Sequence, residues 1–124
     1  MTECSMPTGR HFATSFWGPQ SWRFIHIGSL NYRATPANKA AWRSFILHFL
    51  PATLPCATCR AHYMRRLPRF DLKKILESRR NLVVFWWNLH NDINGDVARK
   101  LGRPFRPLPF KAFCQMYKKG LKKN

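Results

Sequence analysis

Proline sets the limits on what this chain can fold into. Pro19, Pro36, Pro51, Pro55, Pro68, Pro104, Pro107 and Pro109 cut it into segments. Inside those segments apolar residues recur every three or four positions, with almost no alternation of period two. The pattern predicts helices separated by short breaks. Pro19 suits a first helical position, where a missing N–H costs nothing. It is expected to open a helix running to about Arg33, with Trp22, Ile25, His26, Ser29 and Tyr32 or Arg33 along one face. Thr35 and Pro36 open a second helix, in which Trp42, Phe45, Ile46 and Phe49 form a stripe. Pro51 and Pro55 are expected to bracket a turn. A third helix should start at or just before Cys56 and reach about Leu67, where Pro68 ends it. One turn of helix is expected within residues 71–77, a long fourth helix over about residues 78–100, and a short last helix carrying Phe110, Phe113 and Tyr117. The expected fold class is all-α, a four-helix bundle with a short fifth helix, whose core is able to hold a cofactor between facing helices. At 124 residues the chain supports one domain. Its expected limits are residues 16–118, between a flexible N-terminal segment at 1–15 and a basic tail at 119–124.

Charge narrows the partners without naming a function. Lys and Arg total 22 against 5 Asp and Glu, a formal net charge of +17, which favours nucleic acid, anionic lipid, phosphate-bearing ligands or acidic protein surfaces. The basic residues are spread along the chain, and a generally solvated cationic surface competes with a dedicated nucleic-acid site. Residues 1–16 hold no continuous apolar stretch, and the run from Leu82 to Trp87 is far too short for a membrane span. No signal peptide is expected, and an intracellular, soluble protein is the default. In a reducing compartment a close cysteine pair serves catalysis or metal binding rather than structure.

That pair is Cys56-Ala57-Thr58-Cys59, at a predicted helix start. Backbone N–H groups and the helix dipole there stabilise a thiolate. The spacing also allows a small, readily exchanged disulfide, in which one sulfur meets the incoming thiol while the other waits behind it. Zinc is the competing use: Cys56, Cys59 and His62, completed by Cys4 or Cys114, would supply four ligands, although no second Cys-x-x-Cys or close Cys/His pair is present. A thioredoxin-like domain fits poorly, since its pair follows a strand. Trp22 and His26 are four apart, as are His90 and Asn94, so each pair shares a helical face. Asn91 and Asn94 within a helix invite a ligand, because buried amides need partners. His11 and His48 match no pattern, and Phe85 reads as core.

Trp17-Gly18-Pro19-Gln20-Ser21-Trp22, His26, Tyr32, Pro55-Cys56-Ala57-Thr58-Cys59, His90-Asn91-Asp92-Ile93-Asn94 and Leu101-Gly102-Arg103-Pro104 follow one another in this order. Over about residues 16–105 the chain resembles the Erv/ALR family of FAD-linked sulfhydryl oxidases, whose blocks are WGxxxW, H, Y, PCxxC, HNxVN and LGKP. The resemblance implies FAD at the bundle mouth, Cys59 beside the flavin and Cys56 exchanging with protein thiol substrates or a thioredoxin-like carrier. It implies cofactor contacts from Trp17, Gly18, Trp22, His26, Tyr32, His90, Asn91, Ile93 and Asn94, and a pyrophosphate cation among Arg99, Lys100 and Arg103. Dioxygen would accept the electrons, giving hydrogen peroxide, and the family pairs as homodimers through the first two helices. The chain departs from the pattern in three ways. About one extra helical turn separates Asn94 from Leu101-Gly102. Phe85 stands where a Trp before HN is common in the family, and Trp87 where many members have a tethering cysteine. No second Cys-x-x-Cys is present as a shuttle, leaving Cys4 and Cys114 single. Such shuttle-less chains resemble the oxidases of large cytoplasmic DNA viruses, which implies action in the cytoplasm of an infected cell or in the virion.

Overall fold

The computed structural model describes residues 5–7 and 12–123, and every regular element among them is helical. Cys4 and His11 lie outside the described residues. The elements are α1 (Thr14–Leu30), α2 (Pro36–Ser44), a π-helical turn (Phe45–Phe49), α3 (Leu50–Thr53), α4 (Ala57–Arg66), a 3₁₀ turn (Leu67–Arg69), α5 (Leu72–Ile75), α6 (Arg79–Lys100) and α7 (Phe110–Lys118). Local capping explains several boundaries. Thr35, Asp71 and Ser78 each accept a backbone N–H three residues on, from Asn38, Lys74 and Asn81, which satisfies an orphan donor of the first turn.

Three boundaries differ from the sequence expectation. α1 opens at Thr14 rather than Pro19, and Pro19 lies inside it. The carbonyl that proline leaves unpaired belongs to Ser15, which is exposed and therefore solvated. The Phe12 and Phe16 rings stack at 6.3 Å and the Trp17 indole N–H bonds Phe12 O at 3.3 Å, extending order upstream of the proline. α1 also ends at Leu30, not Arg33, with Ser29 O accepting from the Tyr32 N–H. Pro51 starts no turn; the chain stays helical to Thr53. The widened turn before it, in which Leu50 N–H reaches back to Phe45 O, makes room for a ring that would otherwise clash with the carbonyl four residues earlier.

The core is aromatic. Trp86 of α6 is fully buried and meets Trp22 of α1, Trp42 of α2, and Phe45 of the π turn at ring separations of 6.4, 6.2 and 6.1 Å. Ile25, Tyr32, Ile46, Tyr63, Leu72, Leu76, Leu82 and Leu89 surround it, with Phe85 packed alongside. Two tyrosines pin elements together through carbonyls: Tyr32 Oη donates to Leu76 O at 2.6 Å and Tyr63 Oη to Ile46 O at 2.5 Å. α1 packs lengthwise on α6, and α7 closes one side with Phe113 buried against them. Trp87 donates its indole N–H to Leu108 O at 2.8 Å and so ties α6 to the loop before α7. No helix among the described residues is long and apolar enough to cross a membrane.

Ile46 is wholly enclosed, whereas Met116 is half exposed. Ile46→Ala is expected to lose about 2–5 kcal/mol in urea denaturation, and Met116→Ala less than about 0.5 kcal/mol.

Candidate active site

Cys56 is the N-cap of α4, in extended backbone conformation, and its Sγ accepts the Cys59 N–H at 3.3 Å. Pro55 holds the approach, and α4 then carries Cys59 one turn inside. Both thiols are free and half-buried, but their acidities part. The Cys56 thiol is lowered, chiefly by the hydrogen bond from the Cys59 side chain and further by the backbone N–H of Cys59 and by Thr58. Burial is the main force pushing Cys59 up to about 11, reinforced by the bond to Cys56 and the nearby Cys56 charge and partly offset by the Lys100 ammonium. At neutral pH the pair therefore presents one reactive sulfur, Cys56, and one held thiol, Cys59. Among the described residues no group of three or more His, Cys, Asp or Glu gathers as a metal site.

A second cluster lies between α1 and α6. The Trp22 indole stacks on the His90 imidazole at 4.0 Å and 6°, and His26 Nε2 meets His90 Nδ1 at 2.9 Å. Phe113 and Tyr117 of α7 close on His26 edge-on at 4.9 and 5.6 Å. Burial lowers both imidazoles to about 4, with the partner His90 adding to the effect on His26. They are neutral at physiological pH and share a single proton across their contact. Two buried polar atoms here, His26 Nδ1 and Trp86 Nε1, have no hydrogen-bond partner among the described residues. Such atoms cost about 1–3 kcal/mol each when left unsatisfied. In its chemistry the cluster suits a flat, heteroatom-rich ring system: unpaired polar atoms for its edges, and aromatic rings that here pack on one another.

The remaining expected residues divide. Trp17 and the buried Gly18 lie on α1 one turn before Trp22. Ile93 packs half-buried on the core. The Tyr32 hydroxyl is engaged at Leu76. Asn91 finds both partners in the protein: its Nδ2 donates to Leu108 O at 3.0 Å and its Oδ1 accepts the Leu108 N–H at 2.9 Å. The expectation of a buried amide fails for Asn94, whose position on α6 faces solvent. Lys100 is exposed, and so is Arg99, which spends a donor on Asp96 Oδ1 at 3.2 Å. His48 is exposed.

Asp96, unmarked by any sequence pattern, gathers cations where α6 passes α4. It bonds Arg66 Nη2 and Arg99 Nη1, and His62 Nδ1 lies 3.2 Å from it. The same His62 nitrogen is 2.7 Å from Arg65 Nη2. Burial, with Lys100 and Arg65, lowers His62, so its neutral ring accepts from Arg65 and the contact with Asp96 is not an ion pair. The Asp96 carboxyl is held down mainly by the Arg66 hydrogen bond. This clamp sits between Asn94 and Leu101, and it fixes the outer end of α6 to the helix bearing the thiols. Leu108, a backbone hub for Trp87 and Asn91, and Thr58 were equally silent in the sequence.

Comparison with known proteins gives a consistent picture. The family model described as the Erv1 / Alr family matches residues 19–111. A protein named as an FAD-linked sulfhydryl oxidase in Invertebrate iridescent virus 3 is 33% identical over 86 residues, covering 67% of this chain and 57% of that protein. One so named in Acanthamoeba polyphaga mimivirus is 31% identical over 87 residues, covering 68% and 61%. The FAD-linked sulfhydryl oxidase of African swine fever virus is 29% identical over 87 residues, covering 68% and 71%. The matched stretch thus spans under two thirds of the first two relatives' length.

The split acidity of the thiols has a direct readout. In the reduced protein, iodoacetamide is expected to label Cys56 first, with half-maximal rate at a pH below the ordinary thiol value of about 8.5, because the thiolate is the form that reacts. Cys59 should resist labelling until well above it. Peptide mass analysis across a pH series checks this, and equal labelling of the two at pH 7 contradicts it.

Proposed function

The chain belongs to the Erv1/Alr family, and on that premise we propose that it is an FAD-dependent thiol oxidase that makes disulfides in protein substrates through Cys56 and Cys59. The observation that carries the proposal is the capping geometry of the pair: one sulfur at the helix N-terminus lowered, its partner one turn inside raised. A zinc or structural pair has no use for such a division; dithiol exchange does.

With the pair oxidised, a substrate thiolate attacks Cys56 Sγ and the electrons of the breaking S–S bond pass to Cys59. A second substrate thiolate then attacks the substrate sulfur bound to Cys56 and releases the Cys56 thiolate. Leaving-group acidity taken from the free dithiol would disfavour Cys59. In the mixed disulfide, however, the Cys56 charge and its hydrogen bond are gone, while Lys100 still lowers Cys59. Cys59 leaves under better conditions than it holds at rest.

Bound FAD supplies a two-electron acceptor that restores the disulfide, with dioxygen the terminal acceptor and hydrogen peroxide the product. Trp22, His26 and His90 are the residues expected to hold it, by stacking and through the unpaired His26 Nδ1; Trp17, Gly18, Ile93 and Asn94 line the same helices. The polar groups of Tyr32 and Asn91 are engaged at Leu76 and Leu108. Arg103 is the freer cation for the pyrophosphate, since Arg99 is tied to Asp96, and Lys100 serves Cys59. The viral relatives support a role inside infected cells, with residues 16–118 as the working unit.

Self-association is part of the proposal. A groove between α1 and α2 is lined by Phe24, Ile25, Gly28, Ala41, Trp42 and Phe45, and Phe24 stands 77% exposed beside it. Burying that face against a second copy removes a phenyl ring from water, about 1.5–3 kcal/mol per protomer.

The purified protein is expected to be yellow and to consume oxygen with dithiothreitol. Cys59→Ser should retain the flavin spectrum and lose at least about a hundredfold in turnover; a colourless folded protein, or an active Cys59→Ser variant, refutes the reading. Phe24→Asp should convert a dimer to a monomer in light scattering without loss of helical circular dichroism.

A further inference from the structure

Resting on the thiol-oxidase reading, the surroundings of Cys56 say what kind of substrate reaches it. Arg60 stands one turn beyond Cys56 on α4. Its Nη2 donates to Leu54 O at 3.1 Å, two residues before Cys56. The bond folds the guanidinium back along the helix start, next to the sulfur's own approach loop, and uses one of five N–H donors. The side chain is exposed. Beside it, Ala57, Ala61 and Met64 make an exposed ridge of small or apolar residues along the same helix.

The charge around this ridge is uncompensated. Between Glu3 and Asp71 the chain contains no acidic residue at all. The acid packed against α4 from elsewhere, Asp96, is consumed by Arg66 and Arg99. Arg60 therefore has no carboxylate partner within α4 or the loop before it, and a partially fixed guanidinium in that state is suited to a carboxylate from outside.

We propose that Arg60 and the adjoining α4 ridge recognise the substrate, and that the substrate is an acidic protein segment in which Asp or Glu flanks the reacting cysteine. The arrangement also answers a chemical problem of such a segment. A carboxylate next to a thiol opposes the thiolate through like charge; pairing with Arg60 removes that opposition at the moment the thiol meets Cys56. The exchange itself is unchanged: the substrate sulfur bonds Cys56 Sγ as the Cys56–Cys59 bond breaks, Cys59 keeps the electron pair, and the substrate's second thiolate displaces Cys56. The substrate loses two electrons and two protons, and the cysteine pair gains them.

The test uses the full-length flavoprotein and two dithiol peptides of the same length, one flanked by Asp and Glu and one by Lys, with dithiothreitol as the uncharged control. At low salt the acidic peptide should be turned over with a kcat/KM about tenfold or more above the basic one, and the advantage should collapse at high salt as screening sets in. Arg60→Gln should lower kcat/KM for the acidic peptide about tenfold, through KM, and leave dithiothreitol turnover unchanged; Arg60→Lys should recover part of the loss. Equal kcat/KM for the two peptides at low salt overturns the proposal, as does an Arg60→Gln variant that loses dithiothreitol and peptide turnover in the same proportion, since that marks Arg60 as a support for the helix start. If a single-stranded oligonucleotide blocks turnover of both peptides while they remain equally good substrates, the cationic face belongs to nucleic acid and the proposal falls. A wild-type protein inert toward dithiothreitol fails earlier, and sinks the oxidase reading with the substrate assignment.

Discussion

Trp86 is the residue on which the architecture converges. Its ring meets aromatic partners from α1 and from the continuous segment of α2 and the π turn at once, so both are registered against one indole of α6. A core built from Leu and Ile tolerates sliding, because aliphatic contacts change little with small shifts; edge-to-face aromatic pairs are directional and do not. The same indole leaves its N–H unpaired. Holding Trp22 near Trp86 also presents Trp22 to His90, and the order of the aromatic core is thereby passed on to the candidate cofactor wall.

Much of this was legible from residue order alone. Helical spacing and Pro36, Ser78 and the Cys56 position gave the helices near their observed limits, because caps act locally and leave signatures within three residues. Pro19 and Pro51 misled for the same reason inverted: a proline's local cost is visible in sequence, while its remedy, a solvated carbonyl at Ser15 or a widened turn at Phe45–Phe49, is not. The pairing of Trp22, His26 and His90 was implied by shared faces and by family resemblance. Asn91 was noticed for its oddity as a helical amide, yet its partner is Leu108, a residue with no distinguishing side chain and a distant place in the chain. Asp96 was invisible for a related reason. Its meaning comes from which helix α6 passes, and no spacing rule reports that.

Electrostatics at the thiols depends on a division of labour among the cations. Arg66 and Arg99 are spent on Asp96, Arg65 on His62, and Lys100 is left to act on Cys59. A surface of +17 is thus not uniform at short range. One acidic side chain absorbs two guanidiniums, and the charge felt at each sulfur is set by what remains. Trp87 ties α6 to the loop before α7 by an indole hydrogen bond to Leu108, and such a link is indifferent to redox conditions.

The π-helical turn carries a consequence for direction. An extra residue in one turn rotates everything after it by about 100° relative to an uninterrupted α-helix. The stripe of α2 faces the core up to Trp42 and Phe45, and the rotation then swings Leu50 and Leu54 inward while Pro55 emerges aimed at the start of α4. One inserted residue thus decides which side chains of the segment before the cysteine pair reach the core.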